Sequence, residues 1–421
     1  MRAALLGGAF VFTSTSTARA TILLMRKTIL YFAGIAFFSS LSAYLVIYVD
    51  SSMAEKLLGH AGILPLYATA AIISICLFLS APTLLSRIGN SFLFFYLSLA
   101  QGAALLALST GSGGITATIA LLIHMSTLGA LGYTIDLFLE KAMMSEGNTG
   151  KIRGVFLSVG NVALVFSPFI AGSVLQVHDL PFLYLLTFFV FCVSTLISLP
   201  MLEYFRDPTY TLISRKGIQE SLKGPLGMVI LCQMILRVFY AWMAILLPLY
   251  LHESLGFSWS KIGIILLVSL LPFVLCEAPI GFLADRVSIV RPTVISGFIL
   301  LAGATMVLSF QAAPGALLVT ALLFISRIGA SMVEIGTETH FFKQVSAKDE
   351  DSIMLFRITQ PVGSLLGACL GSIVLLFVPL TGALAFFGAF VFLGIIFAVG
   401  IQKSASSTRS RALSCAPGSR C

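Results

Sequence analysis

The chain has 421 residues, of which 58% are hydrophobic and only 10% are charged, and its mean hydropathy is +1.04. A soluble protein carries about 25% charged residues and could not cover so much apolar surface, so soluble enzymes and nucleic-acid-binding domains are excluded and the surrounding medium is lipid. The net charge of +8 is therefore informative only through the positions of the cations relative to the apolar segments.

Residues 1–25 precede the apolar segments and form a separate unit. An apolar run over 3–12 followed by Ala18-Arg19-Ala20 is typical of a secretory signal peptide. Arg26 and Lys27, however, lie directly before the first long apolar segment and favour a cytoplasmic N-terminus. We interpret residues 1–25 as a flexible leader or an upstream false start, with a cleaved signal as the alternative.

Twelve apolar runs of about 20 residues follow, and this length crosses a bilayer as a helix. The first six are Lys27–Val49, Gly62–Leu85, Ser91–Thr110, Ile115–Leu139, Gly154–Val177 and Pro181–Leu202. The second six are Pro225–Leu251, Lys261–Leu283, Pro292–Phe310, Gly315–Glu338, Ile353–Val378 and Thr381–Ile401. The sequence thus predicts two six-helix bundles, over 26–202 and 225–402. Residues 203–224 are the linker, and the polar segment 403–421 is predicted to be a disordered tail.

The cations fix the predicted orientation. Of the 25 Lys and Arg residues, only Lys56 and Lys261 fall on the side opposite the N-terminus, and only Arg237 and Arg327 fall near the middle of a span. Such an asymmetry predicts cytoplasmic N- and C-termini. It also favours an even number of spans, because one missed helix would invert every later loop. A multi-pass protein of a prokaryotic inner or plasma membrane is expected.

The two halves share weak internal repeats. Two acids four residues apart, Asp136 and Glu140, recur as Glu334 and Glu338 near the end of the fourth span of each half. The loop Gly281-Phe282-Leu283-Ala284-Asp285-Arg286-Val287 has a counterpart in Pro82-Thr83-Leu84-Leu85-Ser86-Arg87-Ile88, in which proline and serine replace Gly281 and Asp285. The first-half copy therefore lacks the fixed negative charge.

The span count, the linker, the repeat and the G-x-L-A-D-R loop together resemble the major facilitator superfamily over about residues 26–402. The resemblance implies an all-α membrane protein with twelve transmembrane helices in two pseudo-symmetric bundles. It also implies a substrate site near the midplane between the bundles and secondary transport by alternating access.

The resemblance further implies a cytoplasmic gate of facing acids and bases. Its members are Gly281, Asp285, Arg286, Glu334, Glu338 and Arg153 around the second-half loop, and Arg87, Asp136, Glu140 and Arg357 around the first-half copy. These charges could pair when the cytoplasmic side is closed and separate when it opens. Ordinary juxtamembrane charge that sets topology is the alternative, although acids contribute little to topology.

The fifth span carries small residues at the spacing of the family's antiporter motif, with three of the five glycines replaced. The positions are Gly154, Ala163, Ser167, Pro168, Ala171 and Gly172. Small side chains permit close helix approach and proline bends a helix. Two interpretations therefore stay open, export by antiport and plain close packing.

Ionisable groups inside the bilayer are functional candidates, because each costs about 2.5–3.5 kcal/mol or more at the centre. Arg237 and Arg327 fall near the midplane of their spans, and Glu277 lies closer to the cytoplasm. A Glu277 pair with Arg237 or Arg327 is one expectation, and a substrate or proton site with Glu277 as the protonated group is the other. The sequence indicates no acid at the midplane.

Several uncharged or neutral polar residues complete the candidate site. His124 could relay protons, although a lone histidine in an apolar helix is more often a hydrogen-bonded core residue. The cavity candidates are Asn161, Gln233, Tyr44, Tyr240 and Gln360. Each could equally bridge two helices.

The chain shows no phosphate-binding loop, dinucleotide fingerprint, C-x-x-C pair or metal-ligand set, and its seven cysteines are scattered. We therefore expect no cofactor, no metal and no catalysis, and energy from an ion or solute gradient. The sequence predicts a monomeric transporter of a small organic solute in the lipid bilayer, with proton-coupled export slightly preferred. The alternatives are import of an anionic metabolite and a membrane sensor or assembly factor without net transport.

Overall fold

The computed structural model describes residues 30–111, 113–146, 149–204, 207, 222, 226–276, 279, 290–311, 314–344 and 350–401. Glu277, the loop Gly281–Val287, the leader, the tail and most of the linker lie outside these residues. The described part also leaves out the side chains of Glu140 and Arg153, and of Gly154 it gives only the helical backbone. Within the described residues the chain is helical and has no strand.

The first half of the chain contains six membrane crossings. Its helices are α1 (Leu30–Ile47), α2 (Asp50–Leu58), α3 (Ile63–Ser109), α4 (Ile115–Glu146), α5 (Thr149–Leu175) and α6 (Leu180–Tyr204), with a 3₁₀ turn at His60–Gly62. At 1.5 Å per residue α3 is roughly 70 Å long, more than twice the hydrocarbon thickness. It therefore crosses twice, with a sharp break at Gly89, whose φ is 79°.

The second half repeats this arrangement. Its helices are α7 (Gly227–Leu249, continued by a π-helical turn Tyr250–Ser254), α8 (Trp259–Leu270), α9 (Pro272–Leu275), α10 (Val290–Ser309), α11 (Ala316–Gln344), α12 (Glu350–Leu375) and α13 (Leu380–Val399). Pro272 separates α8 from α9, because proline has no N–H and its ring disrupts the preceding turn. Among the described residues, ten helices are long and apolar enough to cross a membrane. Because α3 crosses twice and the shorter apolar stretch Trp259–Leu275 adds one more, these make twelve crossings.

Within each half, neighbouring crossings pack against each other, α3 on α4 and α6, and α10 on α11 and α13. The two halves meet along two lines, where α5 packs against α8 and α3 packs against α12. The predicted fold class, twelve crossings in two six-helix bundles, is confirmed.

The two ends of the bundle differ in the segments that they carry. We call the end of the bundle at which α6 ends and α7 begins the linker face. The break in α3 lies at this face as well, since the Ser91 hydroxyl, just after the break, donates to the Leu202 carbonyl near the end of α6 at 3.3 Å. Asp207 of the linker accepts a hydrogen bond from the Asn90 N–H at 2.8 Å. Asp207 thus caps the start of the third crossing, where a carboxylate meets the positive end of the helix dipole. The other end of the bundle is the opposite face.

Candidate functional site

A buried carboxylate, Asp50, forms the polar centre of the first half. The predicted first span ends at Val49, but in the structure a two-residue turn leads directly into α2, so Asp50 stays inside the bundle and is 4% exposed. The Tyr184 hydroxyl of α6 donates to Asp50 Oδ1 at 2.7 Å. Asp50 is therefore a buried acid that hydropathy does not single out, because it directly follows the end of the predicted first span.

His124 of α4 faces the same carboxylate and is fully buried. Its Nε2 lies 3.6 Å from Asp50 Oδ2 and has no hydrogen-bond partner among the described residues. This separation is too long for a good hydrogen bond and short enough for an ion pair when the imidazole is protonated. His124 is thus one member of an acid–base pair and not an isolated core histidine.

The other ring nitrogen of His124 is held by a chain of polar groups. Gln101 Nε2 lies 2.8 Å from His124 Nδ1, and the Thr127 hydroxyl donates to Gln101 Oε1 at 2.8 Å. If the Gln101 amide donates to Nδ1, Nε2 must carry any added proton, and Nε2 is the atom that faces Asp50. In that arrangement Nε2 is the ring nitrogen that faces the carboxylate.

In the second half, Arg237 of α7 and Glu334 of α11 form a partly buried ion pair. Arg237 Nη2 lies 3.1 Å from Glu334 Oε1, and the Tyr240 hydroxyl donates to Glu334 Oε2 at 2.8 Å. With its amide oxygen turned towards Arg237, Gln233 accepts from Nε at 3.1 Å and Nη2 at 2.7 Å and donates to Thr337 at 2.8 Å. This orientation is preferred because the reverse one would set amide N–H groups against the guanidinium.

This pairing gives Glu334 a partner that the sequence does not predict. The resemblance assigns Glu334 to the cytoplasmic gate, and the sequence offers a Glu277 pair with Arg237 or Arg327 as one of two expectations. In the structure Glu334 is the partner of Arg237, because α7 and α11 pack together and both residues lie well inside the bundle. Glu277 itself lies outside the described residues.

Arg327 of α11 is the most deeply buried cation that the structure describes. Its side chain is 2% exposed, its guanidinium lies 5.4 Å from the Phe239 ring centroid, and its Nη1 has no hydrogen-bond partner among the described residues. Tyr48 and Tyr240 lie within electrostatic range of it. The two midplane arginines thus differ in kind, because Arg237 is neutralised by a carboxylate and Arg327 has no described counter-ion.

At the linker face, Arg357 of α12 forms an ion pair and hydrogen bond with Asp136 of α4. This contact joins the two halves and has the partners predicted for the first-half gate. Arg87 is exposed and makes no ion pair with a described residue. Glu338 is partly buried in α11 and interacts with other groups, whereas Asp285, Arg286 and Gly281 fall outside the described residues.

At the opposite face, a second charged contact joins the halves. His60 Nδ1 lies 3.3 Å from Glu55 Oε1 and 3.9 Å from Glu253 Oε2 of the π-helical turn after α7. The ligand atoms of these three residues lie within 4.8 Å of one another, an arrangement that could also hold a metal ion. Sequence spacing could not reveal this cluster, because Glu253 comes from the other half.

The antiporter-like residues of α5 lie at the contact with α8. A Cβ added to Gly172 would lie 2.5 Å from the Trp259 carbonyl oxygen, and one added to Gly263 would lie 2.6 Å from the Pro168 carbonyl oxygen. Ala163, Ser167 and Ala171 are buried as well. The small residues therefore bring the two halves into backbone contact, which agrees with the close-packing alternative and does not test the direction of transport.

The remaining candidates divide between the two halves. The Asn161 amide donates to the Phe273 carbonyl at 3.4 Å and so bridges α5 to α9. Gln360 is exposed on α12. Two apolar gaps, with empty volumes of about 230 Å³ and 270 Å³, lie within single halves and are lined almost entirely by hydrocarbon, so neither resembles a solute site.

The sequence analysis missed Asp50, Tyr184 and Gln101. An acid immediately after an apolar span was assigned to the loop because hydropathy alone places the boundary at the first charge. A signal did exist, since the lone buried histidine of α4 needs a polar partner. Only the packing of α1, α3, α4 and α6 identifies that partner.

Twelve crossings in two halves, with ionisable groups buried in each half and charged contacts between them, form an arrangement typical of membrane transport proteins. Residues 229–413 match the family model described as Major Facilitator Superfamily. Among solved structures, the crystal structure of a point mutant of the nucleoside transporter NupG superposes with a TM-score of 0.69 and 11% identity over 89% of this chain and 100% of that chain. No curated protein matches.

The family match covers the second half of the chain, and together with the fold it supports a membrane transporter of the major facilitator superfamily type. The similarity to the nucleoside transporter is a similarity of fold, because 11% identity carries no information on the cargo.

Proposed function

We propose that this chain is a secondary active transporter of a small organic solute, coupled to protons through the Asp50–His124 pair. The observation that carries the proposal is the separation of 3.6 Å between His124 Nε2 and Asp50 Oδ2 in a fully buried site. With a neutral imidazole the pair has one net negative charge, and one added proton makes it neutral. A neutral pair costs less to keep in a low-dielectric interior than a charged one.

The position of the pair along α4 supports a role in alternating access. His124 is nine residues into α4, which puts it roughly 14 Å from the start of that helix and near the bilayer centre. A proton accepted there from one side can be released to the other when the halves tilt. Glu277, eight residues before Asp285, stays a second candidate for protonation.

Alternating access is proposed to work through the charged contacts at the two faces. The Arg357–Asp136 pair closes the linker face, which the cation distribution predicts to be cytoplasmic. The contact of Glu253 with Glu55 and His60, together with the Gly172–Gly263 crossing, closes the opposite face. Opening one side requires breaking one set while the other holds.

Transport of protons can be measured in vesicles that contain the purified full chain and a pH-sensitive dye. A solute from a broad panel should produce a pH change in the wild type, and Asp50→Asn and His124→Gln should abolish it. Asp179→Asn and His178→Gln, in the exposed turn before α6, are matched controls that should leave it unchanged. The fifth-span spacing predicts export, and the sign of the pH change reports the direction.

Three outcomes would oppose the proposal. No flux for any solute would favour the sensor or assembly-factor alternative. Solute flux without a pH change would remove proton coupling but not transport. A pH change that survives Asp50→Asn and disappears in Glu277→Gln would move the protonation site to Glu277.

A further inference from the structure

Resting on the proposed function, we propose that Arg327 and Ser331 of α11 form an anion-binding subsite, so that the transported solute carries a carboxylate or phosphate group. Arg327 is 2% exposed and Ser331 is fully buried. Both Arg327 Nη1 and Ser331 Oγ lack a hydrogen-bond partner among the described residues. Buried polar atoms are nearly always satisfied, and two unsatisfied donors one helical turn apart point to a missing acceptor.

The helix geometry directs both groups to the same side. Gly329, Met332 and Val333 contact Gly297 of α10, and Gly336 contacts Val294. Residues four apart share a helix face, so Arg327 and Ser331 lie on the side of α11 that points away from α10. Glu334 lies on that side too, and it contacts Arg237 and Tyr240 of α7. The unsatisfied groups therefore face α7 and the first half.

The surroundings suit an oxyanion attached to an organic group. Phe239 covers one face of the guanidinium at 5.4 Å, and Tyr48 of the first half lies within electrostatic range. A guanidinium offers parallel N–H donors that match a carboxylate or phosphate, and a nearby hydroxyl can donate a third bond. Arg237 is less suited to this role, because Glu334 neutralises its charge and Gln233 accepts from its Nε and Nη2.

The anion site is separate from the proton site. Asp50 and His124 belong to the first half, and Arg327 and Ser331 belong to the second. In this conformation Arg327 is closed off from solvent, so an anion would reach it when the halves separate. Binding would neutralise Arg327 just as a proton neutralises the Asp50–His124 pair.

A matched pair of arginine variants distinguishes a binding role from a structural one. Thermal unfolding of the purified full chain in detergent, without added anions other than constant chloride, should show Arg237→Gln melting lower than wild type because it leaves Glu334 unpaired. Arg327→Gln should melt higher than wild type by roughly 2 °C or more, because it removes a buried charge that has no described counter-ion.

Probes of known charge then test the ligand class. Benzoate or inorganic phosphate should raise the melting temperature of the wild type in proportion to the logarithm of concentration, whereas neutral benzamide should not. Benzoate and phosphate in separate arms distinguish carboxylate from phosphate recognition. Arg327→Gln should lose the response, Ser331→Ala should weaken it several-fold, and Arg237→Gln should retain it.

The proposal is overturned if benzamide stabilises as well as benzoate, or if Arg327→Gln keeps the anion response. It is also overturned if Arg327→Gln destabilises the protein as much as Arg237→Gln. Should Arg327→Gln not fold, Arg327→Lys keeps the charge and should retain a weakened preference for anions over benzamide; equal responses would contradict the proposal. A proton-coupled flux of neutral solutes that depends on Asp50 would contradict the anion site but would still agree with the proposed function.

Discussion

At the scale of single residues, the structure assigns different environments to ionisable groups that look alike in the sequence. Arg237 and Arg327 both lie near the middle of apolar helices, yet one has a carboxylate partner and the other has an aromatic ring and an unsatisfied nitrogen. Asp50 and Asp136 likewise differ, because Asp50 faces a histidine inside one half and Asp136 pairs with an arginine of the other half.

The Arg237–Glu334 pair yields a stability prediction. Glu334→Gln should lower the free energy of unfolding by roughly 3 kcal/mol, because removing one partner leaves an uncompensated buried charge. The combined Arg237→Met and Glu334→Leu variant should recover most of this loss. A double-mutant cycle of melting temperatures measures the coupling, and additive effects of the two changes would show that the pair contributes nothing.

At the scale of helices, two glycine contacts set how closely the halves approach. Gly172→Ala and Gly263→Ala should each cost about 1–3 kcal/mol of packing, because the added Cβ meets a backbone carbonyl that cannot rotate away. We expect the strain to be relieved by opening of the opposite face. Single cysteines introduced near Trp259 should then react faster with a water-soluble maleimide.

Gly303→Ala is the matched control, since a Cβ there meets nothing within 4 Å. Its melting temperature and cysteine reactivity should equal those of the wild type. Equal reactivity in Gly172→Ala and Gly303→Ala would mean that the α5–α8 crossing does not hold the opposite face closed.

The break within α3 gives a second prediction for a helix. Asp207→Ala should lower stability by about 1 kcal/mol, because the Asn90 N–H at the start of the third crossing loses its carboxylate acceptor. Thermal unfolding in detergent measures the effect. Asp207→Asn should cost less, since its side-chain oxygen can still accept the hydrogen bond; equal losses for both variants would argue against capping.

At the scale of the whole molecule, the proposed gate at the linker face is tested by the distance between the halves. Asp136→Asn and Arg357→Gln should each weaken the only ion pair that the described residues form between α4 and α12. Cysteine pairs placed across α4 and α12 should therefore crosslink less readily than in the wild-type background. Arg87→Gln, which removes an exposed cation without a described ion pair, should not change the yield.

The loop Gly281–Val287 adds a comparison on the same face. If Asp285 is the main latch, as its absence from the first-half copy predicts, Asp285→Asn should reduce crosslinking more than Asp136→Asn. The reverse order would make the Arg357–Asp136 contact the stronger closure. Unchanged crosslinking in both variants would mean that these charges set the topology and do not close the gate.

Sequence alone predicted the lipid medium, the number of crossings, the division into halves and the resemblance to the major facilitator superfamily, because hydrophobic length and internal duplication are properties of the chain itself. It also selected Arg357 with Asp136 and the small residues of α5. It could not determine partners, since Asp50 meets His124 and Tyr184, and Arg237 meets Glu334, only through helices distant in sequence. Burying a charge is unfavourable until packing supplies its partner, so tertiary structure decided which ionisable groups are neutralised and left Arg327 as the one for which we propose a ligand.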